Sequence, residues 1–498
     1  MRIRTIITQD AEVDDQNSLR HFLFYANEMD LQGIIQTSSK FHWEGVPGAV
    51  RSEKKYKDDF ESTDGSEKPA FDKPYRWPGT KWMNEVIDDY ETDYPFLMKQ
   101  DKRYPAPDYL RLITKVGNIG YEGEMDSSSD GSELIRQRIL DDDERTLYLQ
   151  VWGGTNTIAR ALRDIQEEYQ DKEDWEKLHD KITKKVVITA CGEQDNTYKE
   201  YIAENWPGIQ FVKTLQMMSY AYPWFNMPEG DSKDTLKAEF MEKYLLSKNS
   251  ALIKGYCTWL DGNRYEGEEE SSQFGANPNI VNEWFGARLI KETPGKYDFL
   301  SEGDSPTYIV LIPFGMRTLE NFEYGGIAGR YHKVDGYINS KGQECNVWDV
   351  SKDSYTDRNG NVTDEESMWK YVADVQRDFA ARVNWADKDS EIKCEHSPVL
   401  NIVEGTDIEA SAGSEVQLHL SVDDVDNTGI SYECRVYKEI SSEWADDSFI
   451  SIDDKNNIVG VCIDSKACVG DKLHLIVKAV SGGYYKLFNY KHVIISIN

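Results

Sequence analysis

Long apolar runs are missing from this sequence, and so are paired cysteine motifs and any excess of basic residues. No segment approaches the roughly 18–20 consecutive apolar residues of a transmembrane helix, so a membrane-spanning protein is not expected. The seven cysteines are an odd number and form no CxxC pair, which argues against zinc ribbons, thioredoxin-like motifs and disulfide frameworks. The net charge of −32 argues against nucleic acid and anionic membrane as partners, because phosphate binding needs clustered Lys and Arg.

The 498 residues are too many for one compact core, and two or three domains are expected at about 150 residues each. Hydrophobic residues make up 39% of the chain, which is enough to bury real cores. Aromatic residues make up 12%, including 13 Trp and 29 Tyr. Such a share is typical of sugar-handling proteins, whose flat rings stack on sugar faces, but larger cores and exposed amphipathic rings also explain it.

The beginning of the chain follows the order strand, loop, helix, strand. Residues 3–8 are apolar and β-branched, which predicts a buried strand, and residues 31–37 predict a second one. Between them, apolar residues recur at i, i+3, i+4 and i+7 from Leu19, which indicates one face of a helix. This order is typical of a parallel α/β sheet, in which the loops after the strands carry ligands. Further strands are predicted at 146–152, 184–191 and 308–314. Helices are predicted near 82–90, 109–116, 158–165, 197–206 and 368–383. Residues 315–365 are predicted to form ordered loops that cover one edge of the sheet.

The character of the sequence changes after residue 395. Apolar and polar residues alternate at 415–422, 472–480 and 492–497, with turn-rich segments between them, which predicts short strands of an all-β domain. We therefore predict an α/β domain over residues 1–395, with a mostly parallel sheet flanked by helices. Residues 396–498 are predicted to form an all-β, immunoglobulin-like sandwich.

Four carboxylates lie within six residues between the first predicted strand and helix: Asp10, Glu12, Asp14 and Asp15. Like charges this close repel one another, and a helix dipole offsets only up to about 1 kcal/mol per carboxylate. A bound divalent cation would resolve the conflict, and oxygen ligands favour Ca²⁺ or Mg²⁺, of which Ca²⁺ better tolerates irregular loops. The alternative is a simple acidic helix start, with Asp14 as the N-cap and Asp15 exposed.

Three motifs resemble those of the nucleoside hydrolases. TQDAEVDDQNSL (8–19) resembles the aspartate-rich D-x-D-P-G-x-D-D motif and supplies its last three aspartates. GGTNTIA (153–159) resembles the G-P-L-T-N-I-A turn, and EGDSP (302–306) resembles the late H-D-P motif. The match is closer to the bacterial cellulose-binding proteins that pair a nucleoside-hydrolase-like domain with a β-sandwich, because TSSKFHW (37–43) and GGIAGRY (325–331) also look like that family.

The resemblance implies a calcium-dependent glycosidase that cleaves a furanosyl bond. In the family, calcium binds a water and the sugar hydroxyls, and an aspartate that matches Asp10 takes a proton from this water. The aspartates that match Asp14 and Asp304 hold the sugar hydroxyls near an oxocarbenium-like transition state. The metal ligands that the resemblance implies are Asp10, Asp15, Asp304 and the main-chain carbonyl of Asn156.

The sequence departs from the family at the proton donor. Gly303 precedes Asp304 where one class of nucleoside hydrolases has a histidine, and Glu302 is the predicted replacement as general acid. The family's Asn/Glu-rich sugar-gripping segment is also not recognisable, and a polar loop at a comparable strand end is its predicted substitute. His42 could bind substrate or instead anchor a packed loop, and Lys40 could bind substrate or instead lie on the surface. The predicted substrate-binding residues are Asp14, Lys40, His42, Gln194, Asp195, Asn196, Asp304 and Arg330.

Two functions stay open from the sequence, and a metal-stabilised scaffold is a third. The aspartates favour a glycosidase that acts on a nucleoside or on a glycan-derived sugar, because binding alone needs no water-activating cluster. The missing histidine favours a non-catalytic protein that binds a cellulose-like carbohydrate. Carbohydrate or nucleoside is therefore the expected partner, and neither nucleic acid nor membrane is.

The chain begins directly with the strand-like segment MRIRTIITQD, and no signal peptide precedes it. It is therefore either a cytoplasmic protein or a mature form whose leader is absent. Members of the family that it resembles usually carry export signals, so the expectation is an extracytoplasmic location, periplasmic or secreted.

Overall fold

The computed structural model describes residues 2–50, 70–263 and 294–498. An eight-stranded sheet forms the centre of the first domain, in the order β3-β2-β1-β4-β5-β6-β8-β7. Every neighbouring pair in it is parallel except β7 with β8, so the predicted mostly parallel sheet is confirmed. Its strands are β1 (Ile3–Gln9), β2 (Met29–Gln36), β3 (Thr114–Val116), β4 (Leu147–Val151), β5 (Val186–Ala190), β6 (Gln210–Lys213), β7 (Tyr331–Lys333) and β8 (Val347–Val350).

The direction in which the sheet grows reverses at β1. The chain first adds β2 and β3 on one side of β1, and then returns to add β4, β5 and β6 on the other side. At such a reversal the loops after the two central strands diverge and leave a crevice outside their carboxyl ends. The loops that follow β1 and β4 therefore border the position where a ligand is expected.

Within residues 2–50, 70–263 and 294–498, seven longer helices flank this sheet, together with shorter helical turns. The longer ones are α1 (Val13–Leu23), α2 (Trp82–Gln100), α3 (Pro107–Ile113), α4 (Asp130–Leu140), α5 (Asn156–Tyr169), α6 (Trp175–Lys185) and α7 (Val372–Ala386). The turns are Tyr198–Ile202, Ala203–Asn205, Met217–Tyr220, Trp224–Asn226, Asp231–Asp234, Ala238–Met241, Glu242–Leu246, Ala251–Lys254, Pro306–Ile309, Phe322–Tyr324 and Ser367–Lys370. Every helix within the described ranges is too short or too polar to cross a lipid bilayer.

Successive residues of the central strands point to two separate hydrophobic cores. In β1, Ile7 packs into the core that contains Phe22 of α1, whereas Ile6 packs into the core that contains Ile158 of α5. All three side chains are fully buried. Because side chains alternate across a strand, burial on both faces explains why these strands are apolar runs rather than alternating patterns.

A hairpin of β9 (Lys352–Thr356) and β10 (Val362–Glu366) leads to α7, and a second domain follows. Two four-stranded sheets, β11-β13-β16-β15 and β12-β18-β17-β14, enclose a core of their own, as predicted for a sandwich. All of its pairs are antiparallel except β12 with β18. Its strands are β11 (Val399–Ile402), β12 (Asp407–Ala410), β13 (Glu415–Asp423), β14 (Ile430–Val436), β15 (Ile450–Asp453), β16 (Ile458–Cys462), β17 (Lys472–Ser481) and β18 (Phe488–Ile497), with short turns at Lys438–Ile440 and Asp447–Phe449.

The sandwich packs directly against the first domain. The rings of Phe314 and Phe488 lie 5.2 Å apart, and the Tyr490 amide donates a hydrogen bond of 2.9 Å to the Phe314 carbonyl. Tyr437 and Lys478 of the sandwich also donate hydrogen bonds to carboxylates of the first domain, each at 2.9 Å. The boundary at 395/396 stays a prediction, although β11 begins only a few residues after it.

The prediction of a late strand at 308–314 is wrong. The segment forms the helical turn Pro306–Ile309, followed by further turns. All of Tyr308 to Ile312 is buried, and a short apolar run that is buried on every side has no period that separates helix from strand. The predicted edge loops over 315–365 cover an edge, but they also contribute β7, β8 and the β9/β10 hairpin, which the polar sequence did not indicate.

Glu366, at the end of β10, predicts a pH-dependent stability. Burial raises the pKa of Glu366 from 4.5 to about 7, although its carboxylate accepts hydrogen bonds from the Met218 amide and the Ser219 hydroxyl. Because the folded pKa is raised, its contribution to stability is complete below pH 4.5 and is lost as the pH rises through 7. We expect Glu366→Gln to raise the free energy of unfolding by about 1–3 kcal/mol above pH 7 and hardly at all below pH 4.5. Urea denaturation at both pH values measures this, with Glu365→Gln as the control, and an equal effect at both would contradict it.

Candidate metal centre

The loop after β1 brings carboxylates to the crevice at the reversal point of the sheet. Asp10 follows β1 directly, and α1 begins three residues later, so that Asp14 and Asp15 occupy its first helical turn. Between strand and helix, Ala11 takes a φ of 74°, which is unusual for a residue other than glycine. This left-handed residue turns the chain sharply enough for strand end and helix start to face one crevice.

Three carboxylates from two distant segments meet there. One oxygen each of Asp14, Asp15 and Asp304 lies within 4.8 Å of the others. Asp304 comes from the loop before the turn Pro306–Ile309, so a segment distant in sequence meets the start of α1 at this cluster. Asp15 and Asp304 are each 1% exposed, and Asp14 is 9% exposed, so the cluster is largely shielded from solvent and Asp14 is its most accessible member.

Asp10 lies beside this cluster. Its amide donates a hydrogen bond of 3.0 Å to Asp15 Oδ1, and its own Oδ2 lies 3.6 Å from Nδ1 of the buried His42. Both Asp10 side-chain oxygens are buried, with no hydrogen-bond partner among the described residues. Gly153, after β4, allows this proximity, since a Cβ there would come within 2.7 Å of the Asp10 Cβ.

The four aspartates are not equally easy to ionise. Burial and the neighbouring negative charges raise the pKa values of Asp14, Asp15 and Asp304 well above their usual range. Burial also opposes ionisation of Asp10, but the combined effect of His42, Asp15 and Ser39 outweighs it and lowers the pKa of Asp10. Asp10 is therefore readily ionised, whereas Asp14, Asp15 and Asp304 need an added positive charge to stay ionised.

The oxygen atoms fit a calcium ion. Calcium binds oxygens at about 2.3–2.6 Å, so ligands on opposite sides of one ion stand about 5 Å apart. The oxygens of Asp14, Asp15 and Asp304 lie within 4.8 Å of one another, which is compatible with this spacing. One Asp304 oxygen and both Asp10 oxygens are buried without a hydrogen-bond partner among the described residues, and such atoms call for an ion or a water. Residues Asp14, Asp15 and Asp304 could hold the ion; Asp14, predicted to bind the sugar, joins the cluster, and the predicted ligand Asp10 lies beside it.

Asn156, whose main-chain carbonyl is a predicted metal ligand, is the first residue of α5. Its side-chain amide donates hydrogen bonds to the Asn118 and Glu124 carbonyls, both at 2.9 Å. The Asn156 side chain therefore ties together neighbouring loops, and the role of its main-chain carbonyl as a metal ligand stays a prediction.

The polar loop after β5 is mostly structural. Asp195, predicted to bind substrate, is fully buried and accepts hydrogen bonds from the Asn156 amide and from Thr155 and Thr197. These bonds fix the start of α5, so Asp195 is not free to bind a sugar. Gln194 donates to the Trp152 carbonyl but keeps a buried oxygen without a partner among the described residues, as does the partly buried Asn196.

Lys40 and His42 lie in the loop after β2, and His42 faces the metal centre. His42 is fully buried next to Asp10, and Lys40 is 3% exposed, so the surface position considered for Lys40 is wrong. The Lys40 amide donates a hydrogen bond of 2.8 Å to the Gln194 carbonyl, which joins this loop to the one after β5. Both residues stay predicted substrate contacts.

Glu302 belongs to a buried network, which argues against the predicted general-acid role. It is fully buried, and its carboxylate accepts hydrogen bonds from Tyr256 and Ser305 and lies 2.6 Å from His21 Nδ1. Both oxygens are thus engaged in the protein interior. A proton donor for a leaving group must reach the reacting atom, and Glu302 is held in place by its neighbours instead.

We expect Glu302→Gln to act on stability rather than on chemistry. An amide nitrogen in place of one oxygen would face the hydrogen-bond donors of this network, which costs about 1–3 kcal/mol. Urea denaturation of the variant, with the exposed Glu144→Gln as control, measures the loss. Unchanged stability combined with abolished turnover would contradict the structural role and restore the catalytic one.

Arg330 is also engaged elsewhere. Its Nε lies 2.9 Å from an oxygen of the fully buried Asp353 side chain, and Tyr437 of the sandwich donates to the other oxygen. This ion pair lies where the two domains meet. This pair engages Arg330 in joining the domains, and its role in substrate binding stays a prediction.

The sequence did not single out two neighbours of the cluster. The Ser301 hydroxyl donates a hydrogen bond of 3.2 Å to Asp14 Oδ2. Cys191, directly after β5, is buried beside Asp304, and burial together with the charges of Asp304 and Asp14 raises the pKa of its thiol. The sequence places Cys191 at the end of the strand predicted at 184–191, and this position could have indicated that it lies near the cluster.

Comparison with known proteins supports this architecture. A model of the cellulose-binding Sde182 nucleoside hydrolase-like domain matches residues 4–331, and a model of the C-terminal domain of the cellulose-binding protein Sde0182 matches residues 415–497. No curated protein matches the chain. A nucleoside hydrolase-related hypothetical protein from Saccharophagus degradans, associated with carbohydrate metabolism, is 22% identical, with a TM-score of 0.68 and full coverage of both chains. That structure shows the same fold.

Two other solved structures overlie only part of the chain, each with a TM-score of 0.16. One is domain 1 of VCBP3 from Branchiostoma floridae, which is 11% identical and covers 20% of this chain and 96% of its own. The other is the third cadherin domain of human protocadherin 7, which is 20% identical and covers 22% of this chain and 93% of its own. At this score neither carries an argument.

Proposed function

Because the chain belongs to the cellulose-binding Sde182 family with a nucleoside hydrolase-like domain, we propose that it is a calcium-dependent glycosidase acting on a furanosyl sugar. The sugar would be part of a nucleoside or of a glycan. The family itself and the fold are those expected from the sequence motifs. The activity and the metal are the proposed part.

One observation carries the proposal. Asp14, Asp15 and Asp304 bring oxygen atoms within 4.8 Å of one another in a buried crevice, although burial and mutual repulsion disfavour their ionised forms. Such an arrangement costs folding free energy unless a cation compensates it. Strained electrostatics of this kind is typical of functional sites rather than of scaffolds.

The side chains would divide the work as follows. A bound Ca²⁺ would supply positive charge that keeps the cluster ionised and makes a nearby water more acidic. Asp10, whose pKa is lowered beside His42, would stay ionised and accept a proton from the attacking water. Asp14, the most exposed of the cluster, and Asp304 would accept hydrogen bonds from the sugar hydroxyls as charge develops on the sugar ring.

Two measurements test the proposal together. Calorimetric titration with Ca²⁺ should give one site per chain in the wild type and in the exposed control Asp142→Asn, and none in Asp304→Asn. Turnover of nucleosides and of nitrophenyl furanosides should require Ca²⁺ and disappear with EDTA. Turnover that persists in EDTA would exclude the calcium-dependent mechanism.

A second candidate function is carbohydrate binding without catalysis. The placement of Glu302 favours it, because the predicted proton donor is locked in a buried network and Gly303 replaces the family histidine. In that case the calcium titration would still succeed, and the protein would bind insoluble glucan while no furanoside is cleaved. The two functions therefore differ in turnover and not in metal binding.

A further inference from the structure

A cleft of about 640 Å³ lies between the two domains, apart from the metal centre. The first domain contributes the segment from Asp231 to Tyr244 and part of α7, and the sandwich contributes the loop between β17 and β18. Pockets that hold ligands of drug size have volumes of about 300–1,000 Å³. The cleft thus has room for a few linked sugar units.

Aromatic rings from both domains form a continuous path in this cleft. The Phe240 and Tyr244 rings of the first domain lie 4.6 Å apart, and Tyr244 lies 5.6 Å from Tyr484 of the sandwich. Tyr484 in turn lies 5.1 Å from Tyr485. Tyr484 is 45% exposed, so much of this large ring faces solvent. The planes of neighbouring rings are tilted against one another by 34–81° and Tyr485 is buried, so Tyr484 is the ring that offers the cleft most of its flat apolar surface with a polar edge.

The loop that carries the sandwich tyrosines is held in place by a buried carboxylate. Glu395 accepts hydrogen bonds from the Tyr484 amide at 2.7 Å and from the Tyr485 amide at 3.0 Å. The Trp385 indole donates to the Glu395 carbonyl, and Gly483 leaves room for the carboxylate, which a Cβ would approach to 2.5 Å. A surface that is fixed in advance loses little conformational entropy when it binds a ligand.

The charged groups of the cleft are largely paired with one another. Arg377 lies 2.6 Å from Asp231, and Arg358 forms an ion pair with Asp234. The Lys243 ammonium lies 4.6 Å from the centre of the Tyr244 ring. The lining thus combines apolar rings with hydrogen-bonding groups, five of them basic and three acidic, so that most of the charge is compensated within the cleft.

We propose that this cleft binds a segment of neutral polysaccharide, with Tyr484 and Tyr244 stacking on sugar faces and the paired charged groups bonding to hydroxyls. Sugar rings present C–H faces to aromatic planes and hydroxyls around their rims, which is the chemistry that the cleft offers. The inference rests on the proposed function only in taking carbohydrate as the ligand class. It assigns polymer binding to the junction of the domains and leaves the furanosyl chemistry at the aspartates.

Binding to insoluble cellulose and to a soluble cello-oligosaccharide tests this with the full-length protein. We expect Tyr484→Ala to weaken binding about tenfold, the contribution of roughly one stacked ring, and Tyr244→Ala to do the same. Tyr484→Phe keeps the ring and should keep the affinity. The matched control is Tyr169→Ala at the far end of α5, where Lys172 lies over the ring as Lys243 lies over Tyr244.

Calcium titration of Tyr484→Ala separates this inference from the proposed function. A variant that binds calcium like the wild type but has lost the glucan supports the cleft, because both its fold and its metal centre are then intact. Equal glucan affinity in Tyr484→Ala and wild type would overturn the inference. So would the absence of glucan binding in the wild type, or tighter binding of acidic polygalacturonate than of neutral glucan.

Discussion

Calcium is expected to raise the unfolding temperature of the wild-type protein, and EDTA is expected to lower it. A ligand that binds only the folded state at a hundred times its dissociation constant contributes about 2.7 kcal/mol. For a domain of this size that corresponds to about 3 °C. The reason is that Asp14, Asp15 and Asp304 repel one another in the folded protein and not in the unfolded chain. Differential scanning calorimetry with calcium or EDTA measures the shift.

The same repulsion predicts how the calcium-free protein depends on pH. The folded pKa values of Asp14, Asp15 and Asp304 are raised, so their contribution to stability is complete below the usual 3.8 and is lost as the pH rises through the raised values. The stabilisation by calcium should therefore grow with pH over the same range. Since acid also protonates paired carboxylates elsewhere, Asp304→Asn is the reference against which this window is measured.

Asp304→Asn should stabilise the calcium-free protein and abolish its stabilisation by calcium. In EDTA near neutral pH we expect it to raise the free energy of unfolding by about 1–3 kcal/mol, because one member of a repelling cluster becomes neutral. Added calcium should no longer stabilise this variant, while the exposed control Asp142→Asn should behave like the wild type. A calcium response of Asp304→Asn equal to that of the wild type would contradict the proposed metal centre.

Asp10→Asn is expected to reduce turnover of a cleaved furanoside about 10²–10⁴-fold, the usual contribution of a general base. The amide cannot accept a proton from water, whereas the aspartate, with its lowered pKa beside His42, stays ionised. The assay needs saturating calcium, so that a weaker metal site does not imitate a lost base. Substrate affinity should change far less than turnover.

Asp142→Asn is again the control for Asp10→Asn, because it makes the same chemical change on an exposed loop. Full turnover of Asp10→Asn on a substrate that the wild type cleaves would show that another group activates the water. The result would not disturb the fold or the calcium site, because Asp14, Asp15 and Asp304 form their cluster without Asp10.

The architecture and the first loop could be predicted from the sequence. The strand of residues 3–8 and the helical spacing after it place Asp10, Asp14 and Asp15 between β1 and α1, and the structure has them there. Parallel α/β order then indicates the strand ends as the place of the ligand. Asp304 could be assigned to the same site only because EGDSP resembles a family motif. The spacing of residues does not show which distant segments meet in the fold.

The direction of individual side chains could not be predicted. Glu302 and Asp304 are two residues apart, yet one joins a buried network and the other the metal centre. Asp195 and Arg330 carry the charges that a sugar site needs, but a helix start and a domain contact engage them. Sequence shows which groups are present near a strand end, and packing decides which of them face the crevice.

The polysaccharide cleft lies beyond any local sequence signal. Tyr244 and Tyr484 belong to different domains and become neighbours only when these pack together. The excess of aromatic residues was visible, but it was compatible with larger cores as well as with sugar binding. The many fully buried Trp and Tyr side chains show that cores take up much of that excess.

The most direct test of the central claim is a crystal structure of the protein grown with calcium. We predict one ion bound to oxygens of Asp14, Asp15 and Asp304 at about 2.3–2.6 Å, with Asp10 adjacent to it. An ion found at other residues, or these carboxylates contacting only water at saturating calcium, would contradict it.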